Sequence, residues 1–263
     1  MKEGSRNSVS YLKYFLIFFL ILGIVSLSIK IIRVYQTRSF RGEAFNLLIL
    51  NKNASILHLG TKPNSLFILT VKNLGYKLKN KNRVETSLAL KVPIDGIVLL
   101  DDSGYKIERN YFSLDNFLSL FAKKRNNINE IDLIKIFCKI NGIKNSETST
   151  KEVENIENEE VFHVLPEIFN ESVIINDKTS VEIINGTGID GVGGRMSEAL
   201  KNEGFNIVSV GTNEQNESKI VIRGNEKSVV VKRLKDFFPF KVEKRQENSI
   251  ADITLIFGRD SLK

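Results

Sequence analysis

The sequence predicts a mixed α/β (α+β) protein with three parts. These are an N-terminal transmembrane helix, a small mixed α/β middle domain, and a C-terminal β-α-β-β-α-β domain with an open sheet. Three observations predict it. Tyr14–Ile29 is a 16-residue run without a charge. From Phe45 to Ile140, apolar runs of strand length alternate with stretches of helical spacing. Val181–Val210 reads as strand, glycine turn, helix and strand. The expected boundaries are 1–43, 44–179 and 180–263, with the anchor at about 12–32.

The apolar run alone is short for a bilayer span. Leu12, Ile31 and Ile32 lengthen it, and Lys13 and Lys30 can extend their ammonium groups to the interface. Ser26-Leu-Ser28 has the small-x-small form of a cleavage site. Lys30-Ile-Ile-Arg33 follows at once and continues the apolar helix, which favours an uncleaved anchor. Lys2, Arg6 and Lys13 on one side face Lys30, Arg33, Arg38 and Arg41 on the other, so charge does not decide the orientation.

The formal net charge is +7. It is +5 over residues 1–43, +8 over 44–146, −5 over 147–160 and −1 over 161–263. The basic excess therefore lies at the membrane flank and in the middle domain. No aromatic-interleaved basic surface of the RNA-binding kind stands out, so no nucleic-acid partner is expected. The single cysteine, Cys138, excludes an internal disulfide framework. His58 and His163 have no neighbours at ligand spacing, so no metal is expected. No cofactor is expected either.

In the middle domain, Phe45–Leu50, Ser55–Leu59 and Leu66–Val71 read as strands, with turns at Asn51–Asn53 and Thr61–Asn64. Lys72–Lys81 reads as a basic loop with a turn at Asn73–Gly75, and Val84–Leu90 as a short amphipathic helix. Pro93–Leu100 reads as an apolar strand before an Asp101–Gly104 turn. Leu114–Phe121 and Ile131–Ile140 carry helical spacing, and Cys138 in the second is expected as a small buried side chain. Asp101 and Asp102 read as a hydrated turn rather than a cation site. Asn145–Glu160 is acidic and lacks aromatics, the composition of a solvated linker. Val161–Phe169 reads as the last helix of this domain.

In the C-terminal domain, Val181–Ile184 is strand-like and Asn185-Gly186 is a turn signal, because both residues tolerate positive φ. Asp190 is placed to cap the helix that follows. Met196, Ala199 and Leu200 form its apolar face, and Gly204 ends it. Phe205–Val210 is the next strand. Lys219–Arg223, Glu226–Phe237 and Ile253–Phe257 add strand, helix and strand, in an arrangement with ferredoxin-like potential. Lys227, Lys232, Arg233 and Lys235 read as a solvated basic face. Gly186-x-Gly188-x-x-Gly191 also fits a dinucleotide fingerprint. That fingerprint requires an acidic ribose anchor about 20 residues on, where Ser209-Val210-Gly211 stands instead. Tight turning and close helix–strand packing account for the glycines. The candidate ligand-binding residues are Asn185, Gly186, Thr187, Gly188 and Arg195, where turn N–H groups and a helix start form a generic acceptor for an anion or carbonyl.

Val181-Glu-Ile-Ile-Asn-Gly-Thr-Gly188, the Gly191-Val-Gly-Gly-Arg195 helix start, Gly204–Gly211 and the final Ala251–Gly258 strand resemble the C-terminal domain of LytR/CpsA/Psr envelope proteins. The resemblance covers residues 180–261. The early strands and Pro93-Ile-Asp-Gly-Ile-Val98 resemble a shortened catalytic domain of that family, on pattern alone. The family's ligases grip a lipid pyrophosphate with an arginine cluster and aspartates. Here Arg83, Arg109 and Arg125 are the only arginines between 44 and 146, and the corresponding segment, Phe67–Asn73, holds no Arg-Asp pair. The resemblance thus implies a single-pass, membrane-anchored, non-catalytic protein of a bacterial cell envelope. Its C-terminal domains would be extracytoplasmic, and its partner a cell-wall polymer or envelope protein. The alternatives are a divergent ligase joining lipid-linked polymer to the wall, and a membrane-associated regulator.

Overall fold

The computed structural model describes residues 4–36, 39–40, 44–61, 64–101, 106–154, 159–247 and 249–262. Asp102, Ser103 and Gly104 of the expected Asp101–Gly104 turn, like part of the Thr61–Asn64 turn, lie outside the described residues.

Helix α1 (Gly4–Gln36) contains one span, Lys13–Gln36, long and apolar enough to cross a membrane. Its side chains from Lys13 to Ile32 are exposed, as expected of a helix whose apolar surface faces lipid. It ends against the folded body. Val34 O accepts a hydrogen bond from Asn129 Nδ2 at 2.8 Å.

The first sheet is built from β1 (Phe45–Leu50), β2 (Ala54–Leu59) and β3 (Leu66–Val71). Next come α2 (Gly75–Leu78), α3 (Arg83–Leu90) and β4 (Gly96–Leu99). They are followed by α4 (Leu114–Leu120), β5 (Lys124–Asn126), α5 (Glu130–Gly142) and β6 (Thr148–Val153). The strand order is β5-β4-β1-β2-β3-β6. Both faces of the sheet are covered, which is why β1 to β3 read as continuous apolar runs. Leu47, Ile49, Leu57 and Ile68 point to the side of α4 and α5, while Leu48, Leu50, Ile56 and Leu69 point to the other. That other side is closed by α6 (Glu159–Phe169), through Leu165 and Phe169. Each such fully buried side chain contributes roughly 1.5–3 kcal/mol. Asn82 and Asn129 cap α3 and α5 with reciprocal bonds to Glu85 and Asp132, which fixes where those helices start.

Several expectations are corrected here. Residues 148–153 are no linker. They form β6, parallel to β3, and residues 155–158 of the expected linker lie outside the described residues. Thr148, Thr150 and Val153 suit a strand, while the exposed Ser149 and Glu152 give it the polar look of a linker. The basic loop contains the short helix α2. Pro93–Asp95 is a loop before β4 rather than strand, because Asp95 turns its carboxylate inward and accepts from Asn46 N at 2.8 Å. Cys138 is exposed, not buried. The inner face of α5 runs through Leu133, Ile136 and Ile140, and residue 138 falls off it.

After α7 (Ser172–Asp177) comes the second sheet. It contains β7 (Ser180–Asn185), α8 (Val192–Asn202), β8 (Asn206–Thr212), β9 (Lys219–Ile222), α9 (Val229–Phe237), β10 (Lys241–Lys244) and β11 (Ile253–Phe257). The order is β10-β9-β11-β7-β8. β7 and β8 are adjacent and parallel, as are β9 and β10, with β11 between the two pairs. This replaces the ferredoxin-like expectation, whose β-α-β units are split by an intervening strand. The additional strand, β10, reads Lys-Val-Glu-Lys. Its charges suit an edge strand and conceal it from an apolar pattern search.

Candidate functional site

The predicted turn lies at the end of β7. Asn185 and Thr187 are buried and satisfy each other. Asn185 Oδ1 accepts from Thr187 Oγ1 at 2.7 Å and from Thr187 N at 3.2 Å, and Asn185 Nδ2 donates to Ile189 O at 2.9 Å. Gly186 N donates to Phe257 O at 2.7 Å, and a Cβ on Gly186 would meet Gln215 and Asn213 within 3 Å. These three residues therefore build the turn. Gly188 is open, with φ +78°. Asp190 does not cap α8. The N-cap is Gly191 in the left-handed region at φ +77°, with no side-chain bond. Arg195 is exposed, and its guanidinium folds back toward Gly191.

Arg195 belongs to a larger feature. An open cleft of about 850 Å³ separates α2 and α3 from the start of α8. Its floor is apolar, with Leu74, Leu78, Leu88, Ile189 and Val192 among its residues. Its rim carries Lys72, Lys77, Lys81, Lys91 and Arg195, against Glu85 and Glu154 only. Both acids are engaged internally. Glu85 Oε2 accepts from Asn82 N at 3.0 Å, and Glu154 takes Lys72 Nζ at 2.6 Å. Lys91 leans on Glu198 at 3.3 Å. Lys77, Lys81 and Arg195 have no ion pair among the described residues. With Lys72 and Lys91 already paired, Lys77, Lys81 and Arg195 leave an electropositive groove of mixed apolar and charged character.

Below this cleft the two sheets are held together by a buried polar network. Arg233, expected on a solvated face, is buried. Its Nη1 and Nη2 donate to the two oxygens of Asp95 at 2.6 and 2.9 Å, and its Nε to Glu203 Oε1 at 2.8 Å. It sits on the α9 face that also buries Val230, Leu234 and Phe237, so its partners must come from inside. Burial opposes its charge, but Asp95 and Glu203 outweigh that and hold it firmly protonated. Burial pushes the Glu203 carboxyl up to about 7, against Arg233, and Asp95 adds to the rise. One cation thus serves two carboxyls.

His58 extends the network. Asn46 Nδ2 donates to Pro93 O at 2.7 Å, so Asn46 Oδ1 is an acceptor, and His58 Nδ1 lies 2.8 Å from it. Nδ1 therefore carries the proton. His58 Nε2 faces Glu171 Oε1 at 3.5 Å, and Thr61 Oγ1 donates to Glu171 Oε2 at 2.6 Å. Burial, then Arg233 and Lys139, lower His58 to about 3. Burial raises Glu171. His58 is thus held as the neutral imidazole. Among the described residues, no group of three His, Cys, Asp or Glu could hold a metal ion.

The arginines of the middle region are far from one another's work. Arg83 stacks on Phe237 and donates to Phe237 O, Arg109 donates to Ile143 O and Asn145 Oδ1, and Arg125 pairs with Glu130 at 2.8 Å. The sequence reading missed Lys77, Lys81 and Lys91 as partners of Arg195. The one available signal was the density of lysines in 72–81.

Comparison with known proteins bears on the second sheet. Residues 178–260 match the LytR_C family, described as LytR cell envelope-related transcriptional attenuator. No curated protein matches the chain. Among solved structures, the chain is similar to the Lin1025 protein from Listeria innocua at 12% identity, over 71% of this chain and 88% of that one. The TM-score is 0.21. The C-terminal third of this chain, from β7 through β11, is a LytR_C domain joined to an N-terminal apolar helix by a separate α/β sheet.

Proposed function

We propose that the protein is a single-pass, membrane-anchored, non-catalytic envelope protein that binds an anionic cell-wall polymer in the cleft between α2–α3 and α8. Both sheets lie outside the cytoplasm in this reading, and residues 44–179 are a reduced LytR/CpsA/Psr-like domain, on the strength of their strand order. The observation that carries the proposal is the convergence of Lys77, Lys81 and Arg195, unpaired among the described residues, on one groove whose two acids are already engaged and whose other cations, Lys72 and Lys91, are paired. A repeating phosphodiester fits such a rim, because each phosphate can face a cation without leaving solvent. Arg195 ties the groove to the LytR_C domain.

The test uses the full chain in detergent and a poly(glycerol phosphate) probe, with uncharged wall glycan as the comparison. The triple variant Lys77→Glu, Lys81→Glu, Arg195→Glu is expected to lose at least about tenfold in affinity for the polyanion, with the wild-type affinity falling as salt rises. Equal binding of polyanion by variant and wild type would remove the cleft from the account. Preference of the wild type for the uncharged glycan would remove the polyanion.

A further inference from the structure

The helix that carries the apolar span does not reach the first sheet through a loose tether. Val34 O accepts from Asn129 Nδ2, and the Lys135 ammonium stands 5.6 Å above the Tyr35 ring. Ser39 N and Phe40 N donate to the two oxygens of Asp132 at 2.9 and 2.8 Å. The start of α5 is thereby fastened to the end of α1. Tyr35 lies three positions beyond Ile32, with Arg33 and Val34 between them. At the helical rise this is about 5 Å, so the first turn of α5 stands at headgroup depth. Glu130 in that turn feels the charge of Lys30 and pairs with Arg125, whose Nη2 reaches Phe121 O at the end of α4.

The outer surface of α4 and α5 carries exposed large apolar side chains among the polar Asp115, Asn116 and Ser119. Leu114 and Leu118 lie one turn apart on α4 and are 59% and 56% exposed. Ile134, one turn beyond Glu130 on α5, is 48% exposed. The two helices are joined by the stacked rings of Phe117 and Phe137, 4.2 Å apart. At the α1–α5 junction beside them, Lys30 acts on Glu130 and Lys135 stands over Tyr35. Lys123 holds Asp101, and Arg125 holds Glu130.

We infer that this α4–α5 surface is a second membrane contact, in which Leu114, Leu118 and Ile134 rest in the headgroup–acyl boundary of an anionic bilayer beside the anchor. Two observations select the bilayer as occupant. The surface is continuous with the docked end of α1, and its flanking charge is complementary to anionic headgroups. The contact fixes the tilt of the first sheet over the membrane and, through α3 and the Arg233 network, that of the LytR_C domain. It is independent of what the cleft binds.

The full chain is placed in nanodiscs of phosphatidylcholine alone or mixed with phosphatidylglycerol, one chain per disc. Cys138→Ser removes the native thiol, and Leu118→Cys, Ile134→Cys or Lys241→Cys provides a single site for a fluorophore. Lys241, on the far edge of the second sheet, is the reference. The expected result is quenching by lipid-borne nitroxide at 118 and 134 that exceeds the reference at least about twofold, is stronger with phosphatidylglycerol, and is matched by protection from aqueous iodide. Labels at 118 and 134 that behave like the one at 241 would overturn the inference. So would protection seen only in discs holding two chains, which would assign the surface to a second copy. Equal quenching in both lipid mixtures would overturn the role of anionic headgroups.

Discussion

Replacing Arg233 with alanine lowers the unfolding free energy by about 3–5 kcal/mol, the cost of leaving buried charge without its partner. Asp95 and Glu203 lose their common cation, and neither is near water. Because Asp95 belongs to the first sheet and Arg233 to the LytR_C domain, the loss is felt at their junction. Val84 and Leu88 of α3 are packed into the LytR_C core there, and Asn202 Nδ2 donates to Lys91 O at 2.7 Å. The combined variant Arg233→Met, Asp95→Asn, Glu203→Gln removes the charges together and is expected to recover a large part of the loss. Arg195→Ala, at an exposed site, changes stability by no more than about 0.5 kcal/mol. Equilibrium denaturant unfolding of the full chain in detergent measures all three. A loss at Arg233→Ala no larger than at Arg195→Ala would show that the network does not hold the junction.

The pH dependence of stability follows from the same cluster. His58 has a folded pKa of about 3, below its unfolded value of 6.5. Its contribution is present above pH 6.5 and is lost as pH falls toward 3, amounting to roughly 4–5 kcal/mol. Glu203 acts in the opposite sense. Its folded value of about 7 lies above the unfolded 4.5, so its contribution is present below 4.5 and is lost as pH rises to 7, roughly 3 kcal/mol. Between pH 4.5 and 6.5 the two slopes oppose each other, and Glu171, raised by burial, adds to the loss as pH rises. Below 4.5 only the His58 slope remains of the two, and the lowered carboxyls of Asp177 and Asp252 add to the acid loss. Glu203→Gln removes one downward slope, so between pH 4.5 and 6.5 stability should gain, relative to the wild type, up to about 1.4 kcal/mol per unit as pH rises. Unfolding curves across this range decide the matter. A profile in Glu203→Gln that matches the wild type would show that Glu203 is ionised throughout.

What the sequence discloses, and what it withholds, follows from where the information resides. β1 to β3 are readable because burial on both faces makes them unbroken apolar runs between polar turns. α3 and α5 are readable from their spacing and from the Asn-x-x-acid caps at Asn82 and Asn129. The edge strands β5, β6 and β10 are not. Lys-Arg-Asn, Thr-Ser-Thr-Lys-Glu-Val and Lys-Val-Glu-Lys carry the polarity that edges need, and that polarity also marks loops. Arg233 was misplaced because a charge on an amphipathic helix reads as solvated unless its partners are known, and Asp95 lies 138 positions away. The glycine turn was legible as a turn. The groove beside it was not, since it joins residues 71–91 to 189–195 across two sheets.

In the envelope reading, both sheets stand outside the cytoplasm on a membrane anchor. The most direct measurement is labelling of Lys241→Cys, in a Cys138→Ser background, by a membrane-impermeant maleimide added to intact, wall-stripped cells. The side chain at 241 is exposed on an edge strand, so the thiol is available on whichever side the domain lies. Full labelling before lysis is the predicted result. Protection until lysis would place the LytR_C domain in the cytoplasm and contradict the envelope account, and the basic cleft would then need an anionic partner on that side.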